Sequence, residues 1–442
     1  MSETKQPRMP KVWEALIPVA AIMVFMIVGT VVWGMDPHIP LVLACVVTAF
    51  VAAACGYKWD AIITGALDSV KSAVEALLII LCVGMLIGSW VWAGTMPAMV
   101  YYGLKFISPS VFLALGLVLT AIVGLATGSS WTASGTVGVA LMGVAMGLGI
   151  SAPLAAGMII AGAYTGDKLS PLSDSTNVAA AAAGTPLYDH VGAMMTTTVP
   201  SFVISFVLYL IVGFVVIDTS GYDASLAQGI MDAIAENFYL SPWIMLPVLV
   251  VIFAAVKRIP AIPSLLLAAA VAAVIAIFAQ GASVPDVLIG LQAGFSIETG
   301  NEYADSLLNR GGLDSMLWTI SLIMFALAYG GMMEKCRFVE SLMGGIVKRV
   351  KSTASLVAAT IITGIICDVI LTDQYLAIMI PSRMFRDEFD KRDLSRSFLS
   401  RTTEDGATLW SPMIPWNGCG AYQAATLGVH NFAFMPFAFV NL

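Results

Sequence analysis

The chain has 442 residues, of which 59% are hydrophobic and 11% charged, with 21 basic and 28 acidic side chains and a net charge of −7. A soluble domain carries about 25% charged residues, so this composition cannot coat a water-exposed surface. Uncharged apolar runs of the ~20 residues that cross a bilayer recur from Leu16–Gly34 onward, which excludes a secreted, cytosolic or nucleic-acid-binding globule and predicts an all-α polytopic membrane protein.

Residues 1–12 read as a cytoplasmic tail. Spans are expected at about Trp13–Trp33, Ile39–Gly56 and Ala73–Ala93, with amphipathic Trp59–Lys71 lying at the membrane surface. The apolar segments Val111–Thr127 and Thr132–Gly147 flank a cluster of small polar residues and read as a re-entrant hairpin. A helix from about Ala152 is expected to break across Gly166–Asn177, resume through the alanines and be followed by a span at Val191–Ile217. Residues 218–241 form an acidic connector without Lys or Arg, expected outside the cytoplasm.

The second half, 242–442, repeats the first, 13–217. Trp243–Val256, Ile262–Phe278 and Leu317–Met333 match the opening spans; Leu356–Leu371 and Tyr375–Phe385 flank Thr372-Asp373 as a second hairpin. Thr165-Gly-Asp167 lies over Thr403-Glu-Asp405, Ser170-Pro171 over Ser411-Pro412, Asn177 over Asn417 and Thr132 over Thr372. With a re-entrant hairpin and a single crossing by the broken helix, each half makes about five crossings, and an odd number inverts one repeat relative to the other. A cytoplasmic N-terminus gathers 17 of the 21 basic residues inside and leaves only Lys105 and Arg310 outside, as the positive-inside rule requires; the C-terminus is then cytoplasmic too. Trp13, Trp33, Trp59 and Trp243 sit near span ends as an interfacial belt.

Asp167, Asp174, Asp368, Asp373, Glu404 and Asp405 fall within apolar spans. A carboxylate at a helix centre costs ~2.5–3.5 kcal/mol, so these acids must line a wet cavity, pair, bind a cation or be protonated. Lys168 and Arg401 are the bases at that depth and are assigned to charge pairing, Lys168 with Asp167 and Arg401 with Glu404 or Asp405. Pro171, Pro412 and Pro415 remove backbone donors, and carbonyls freed this way are tolerated where they line a cavity and can hold Na⁺. Ser130, Thr132, Ser134, Ser170, Ser173, Thr176, Asn177, Thr372 and Asn417 add the hard oxygens that Na⁺ prefers. The ion- or substrate-binding set is therefore Asp167, Ser170, Asp174, Thr176, Asn177, Thr132, Ser134, Thr372, Asp373, Glu404, Asp405 and Asn417, with Na⁺ placed at Asp174 and Asp373. Asp174 lies between two serines, and Asp373 is the acid at a hairpin tip. Small-residue helix packing is the competing explanation of the Ser/Thr cluster. The six cysteines stand singly, without CxxC, and read as small buried hydrophobes.

Gly166-Asp-Lys-Leu-Ser-Pro-Leu-Ser-Asp-Ser-Thr-Asn177, Thr372-Asp-Gln-Tyr-Leu-Ala-Ile378, Leu399-Ser-Arg-Thr-Thr-Glu-Asp405 and Ile414-Pro-Trp-Asn-Gly-Cys-Gly-Ala421 resemble motifs of the NhaC family of bacterial Na⁺/H⁺ antiporters. The resemblance covers essentially the whole chain. It implies a bacterial inner-membrane transporter with inverted repeats, a scaffold and a moving transport domain, a homodimer, Na⁺ and protons as cargo and no resident cofactor. Malate/lactate antiporters and suspected amino-acid exchangers also resemble this family, so a small carboxylate or amino acid is the alternative cargo. Thr372 stands where a small apolar residue is expected, and Gly418 where Thr is usual. With no HExxH or GxSxG pattern and three histidines, an intramembrane enzyme is disfavoured.

Overall fold

A computed structural model describes residues 7–216, 224–257, 259–344, 346 and 350–442. Lys5, Arg258, Lys348, Arg349 and the start of the acidic connector at 218–223 lie outside the described residues. The described chain is helical, without strands. In order, α1 is Val12–Met26, α2 His38–Ala54, α3 Trp59–Ser72, α4 Val74–Trp92, α5 Thr95–Phe106 and α6 Pro109–Thr127. A short α7, Ser130–Ala133, passes through a π-helical turn, Ser134–Gly138, into α8, Val139–Gly147. Then come α9, Ala152–Leu169; α10, Asp174–Ala183; α11, Leu187–Ile211; α12, Ala224–Asn237; α13, Leu246–Val256; and α14, Ala261–Ala279. The remainder is α15, Val284–Ala293; α16, Glu302–Leu308; α17, Leu317–Lys335; α18, Phe338–Met343; α19, Thr353–Leu371; α20, Gln374–Asp390; α21, Arg396–Ala407; α22, Gly418–Leu427; and α23, Asn431–Phe434.

Among the described residues seven helices are long and apolar enough to cross a membrane, or eight if Ser225–Asn237 and Pro242–Ala254, bent by 97°, form one broken span. Their outward faces are apolar: on α11, Met195, Val199, Val203, Ile204, Val207 and Ile211 are all exposed. Such a face is stable against lipid and not against water. Trp13, Trp33, Trp59 and Trp243 are exposed as well, as an interfacial belt demands.

Three elements differ from the expected spans. The first break is narrower: α9 runs through Gly166, Asp167 and Lys168 to Leu169, and only 170–173 interrupt it. The second is likewise confined beyond Ala407, so Glu404 and Asp405 lie on helix α21. Pro171 lies just past the end of α9 and lacks the donor a further turn needs; α21 passes through turns into the 3-10 segment Ser411–Met413 that holds Pro412, and Asp, Glu and Lys are tolerated in a helix. The acidic connector, expected as a linker, contains α12.

The contacts divide the chain into two compact units, each drawn from both halves: unit 1 is Met1–Glu75, Asn177–Ala193 and Thr319–Ala421; unit 2 is Ala76–Thr176, Met194–Trp318 and Tyr422–Leu442. In unit 1, α1 packs on α2, and α19, α20 and α21 pack on one another. Its apolar centre is Ala183, Leu356, Phe385, Phe389 and Leu399. In unit 2, the tightest crossing is α6 on α9, beside a cluster of Val123, Ala133 and Ala163. Glycine makes that crossing: a Cβ on Gly162 would stand 2.5 Å from the Leu117 carbonyl oxygen, and one on Gly124 would stand 2.6 Å from that of Ala163. Small residues at such a spacing let transmembrane backbones touch, which holds Asp167 against the hairpin tip that follows α6.

Candidate functional site: a polar centre in each unit

Each unit contains a helix–turn–helix tip and the break that follows a long helix, α9 in unit 2 and α21 in unit 1. In unit 2, α6 ends at Gly128, whose left-handed φ of 65° closes the helix, a conformation glycine adopts freely. Ser129 then caps α7, its hydroxyl accepting the Thr132 N–H at 3.1 Å. In unit 1, α19 ends at Thr372 in the same left-handed conformation, φ 61°. Asp373 caps α20, its Oδ1 accepting the Leu376 N–H at 2.8 Å. The tips thus share a backbone conformation, Gly128 with Thr372 and Ser129 with Asp373, while the sequence repeat sets Thr132 over Thr372.

Unit 2 joins its tip to its broken helix through Asp167. This carboxylate is 6% exposed, and its Oδ2 accepts the Ser130 N–H at 3.1 Å, at the first residue of α7. The helix dipole favours an anion there. Lys168 is fully buried, and its carbonyl accepts from the Thr176 hydroxyl at 3.3 Å. Within the break, Ser170 Oγ accepts the Leu172 N–H at 3.2 Å, and the Ser173 and Ser175 hydroxyls are 3.0 Å apart. Asp174 opens α10 and is exposed; Asn177, which falls in unit 1, is exposed too. Thr132 is buried and its carbonyl accepts from the Thr136 hydroxyl at 2.6 Å. Ser134 is buried in the π-helical turn, with no hydrogen-bond partner for its hydroxyl among the described residues.

Unit 1 joins its tip to its break by more bonds. Asn417, fully buried just before α22, uses both ends of its amide. Its Oδ1 accepts the Cys419 N–H at 3.0 Å and its Nδ2 donates to Asp368 Oδ1 at 3.1 Å. Gly418 N–H donates to the Thr372 carbonyl at 3.0 Å, and the Thr372 hydroxyl donates to the Ala326 carbonyl at 2.7 Å. Gln374 accepts from the Ser411 hydroxyl at 3.0 Å and from the Cys419 thiol at 2.9 Å. The two acids of α21 face other partners. Glu404, fully buried, lies 2.7 Å from Nε2 of His190, whose Nδ1 is 2.7 Å from the Ser400 hydroxyl. Asp405 pairs with Arg401 at 3.9 Å, and the Arg401 guanidinium also sits over the Phe398 ring. The pairing predicted for Arg401 thus reaches Asp405, while His190 takes Glu404.

In each unit, buried polar side chains thus bond a helix tip to a helix break. A family model described as the Na⁺/H⁺ antiporter family matches residues 162–442. The chain belongs to that family. It is 39% identical to the Na⁺/H⁺ antiporter NhaC of Bacillus subtilis over 91% of this chain and 89% of that protein. It is 37% identical to the arginine/ornithine antiporter ArcD of Halobacterium salinarum over 98% of this chain and 90% of that one. It is 33% identical to the malate-2H⁺/Na⁺-lactate antiporter of Bacillus subtilis over 99% and 93%.

In this Na⁺/H⁺ antiporter family member, sequence reasoning singled out Thr372, Asp373 and Asn417, and the structure brings all three to one tip. It did not assign Asp368, Gln374 or His190 to the site. Asp368 was visible as an acid in an apolar span, but its partner lies 49 residues on. His190 was passed over because its partners are 210 and 214 residues away, and no local spacing signals such a pair.

Proposed function

We propose that the protein is a secondary-active Na⁺/H⁺ antiporter that exchanges its ions at mid-membrane carboxylates by alternating access. Membership of the antiporter family, together with acids set at two broken helices, is the observation that carries this reading. Desolvation favours the protonated form of a carboxylate, while a nearby cation favours the ionised one. One acid can therefore hold either a proton or Na⁺, and competition for it couples the two fluxes. Asp174 and Asp373 are proposed as the principal cation ligands. Asp167, Ser170, Thr176, Asn177, Thr132, Ser134, Thr372, Glu404, Asp405 and Asn417 supply further oxygens or hold the backbone around them, and Lys168 and Arg401 balance neighbouring acids.

The proposed architecture is two inverted repeats with re-entrant tips and about ten crossings, both termini facing the cytoplasm of a bacterial inner membrane. The distribution of basic residues supports this orientation, and a homodimer follows from the family resemblance. Labelling of a cysteine placed at position 225 from the cytoplasmic side alone would contradict it.

A second reading is exchange of a small organic acid or amino acid coupled to H⁺ or Na⁺. The names of the two relatives with organic cargo favour it. Proteoliposomes with an imposed pH gradient separate the two readings. Dissipation by NaCl alone supports ion antiport; a requirement for malate, lactate, arginine or ornithine supports the second.

A further inference from the structure

We propose that Asp368 is a ligand of the transported cation in unit 1, with Asn417 as its positioning residue. This rests on the antiport reading and adds a carboxylate to it. Asp368 is fully buried in the last turn of α19. One of its oxygens, Oδ1, receives the Asn417 amide at 3.1 Å. The other, Oδ2, has no hydrogen-bond partner among the described residues. A buried carboxylate left half-satisfied in an apolar span is costly and marks function. When Asp368 is ionised, a single neutral amide does not compensate its charge, whereas a small cation bound at Oδ2 does.

The surroundings point the same way. Thr372 and Asp373 stand four and five residues after Asp368 at the tip, so a carboxylate lies on either side of its left-handed residue. Asn417 cannot swing away to satisfy Oδ2, because its own oxygen is committed to the Cys419 N–H at 3.0 Å. Asp368 is thus held in one orientation with a single oxygen presented, as expected of a monodentate Na⁺ ligand. Asn417, at the broken helix, links that ligand to the element whose backbone is discontinuous. A purely structural Asp–Asn hydrogen bond explains Oδ1 but leaves Oδ2 unexplained.

The test uses the full-length protein. Its thermal midpoint in detergent is measured in NaCl against choline chloride at equal ionic strength, and Na⁺-driven proton flux is measured in proteoliposomes. Wild type is expected to be stabilised by Na⁺. Asp368→Asn, nearly isosteric, is expected to lose that stabilisation and to drop at least about tenfold in kcat/KM for Na⁺. Asp368→Glu should recover part of both. Asn417→Ser should raise the KM for Na⁺ with a smaller change in kcat. A Na⁺ response in Asp368→Asn equal to that of wild type, or no response in wild type, overturns the proposal. If Asp368→Asn does not fold, unchanged Na⁺ KM values in both Asp368→Glu and Asn417→Ser overturn it instead. Na⁺ stabilisation that depends on Asp368, without any Na⁺-driven proton movement in wild type, would leave the cation site standing and refute antiport.

Discussion

At the tip between α6 and α7 the left-handed residue is Gly128 and the capping oxygen is the neutral hydroxyl of Ser129. At the tip between α19 and α20 those places are taken by a β-branched residue, Thr372, and a carboxylate, Asp373. The acids differ to match. Unit 2 brings Asp167 from its broken helix to its tip. Unit 1 carries its tip acids on the hairpin itself, as Asp368 and Asp373, and engages the acids of its broken helix with His190 and Arg401. The two tips therefore share a left-handed residue and a capping oxygen, requirements that Ser and Asp both meet. Charge is distributed differently in the two units on two similar tip backbones.

The largest effect is expected where charge and capping can be separated. Asp373→Asn keeps a capping oxygen of equal quality but removes the charge. Na⁺-driven proton flux should fall at least about tenfold, or ~1.4 kcal/mol in barrier, with the thermal midpoint little changed. Asp174→Asn should do the same. Wild-type flux in either variant would show that the carboxylate is structural. Ser129→Ala, at the uncharged tip, should cost ~1 kcal/mol of stability without changing the KM for Na⁺.

The next effect concerns the acids that unit 1 engages internally. His190→Ala leaves Glu404 fully buried without that hydrogen-bond partner, and removing the partner of a buried polar group costs about 1–3 kcal/mol. Denaturation in detergent should show a loss of that order. A loss below about 1 kcal/mol would mean that Glu404 is held by other groups.

A smaller contrast tests the turn itself. Gly128→Ala forces an L residue into the left-handed region, at ~1–2 kcal/mol, and its Cβ would meet the Leu172 carbonyl carbon at 2.7 Å. Thr372→Gly relieves strain of ~1 kcal/mol or more but loses the hydroxyl bond to Ala326, also ~1 kcal/mol. Thermal unfolding should show clear destabilisation for the first and a change within about 1 kcal/mol for the second. The smallest effect is expected at Gly418. A Cβ there finds only ordinary contacts, the nearest at 3.7 Å on Ile323, so Gly418→Ala should stay within about 0.5 kcal/mol.

The sequence by itself determined the helical class, the membrane setting, the positions of most spans and the existence of two breaks. These follow from local quantities: apolar run length, missing charge and proline. It also marked Asp373 and Asn417, because an acid or amide in an apolar stretch is conspicuous without knowledge of its neighbours. What only the tertiary structure decided is how those polar groups are shared. The extent of each break depended on Asp167 and Glu404 staying helical under packing. The correspondence of the tips depended on φ at Gly128 and Thr372, since unlike residues can adopt one conformation. The bonds of Asp368 to Asn417 and of Glu404 to His190 join residues 49 and 214 positions apart. No periodicity or motif encodes such separations, and they arise only when apolar helix faces pack and force each buried polar atom to find a partner nearby.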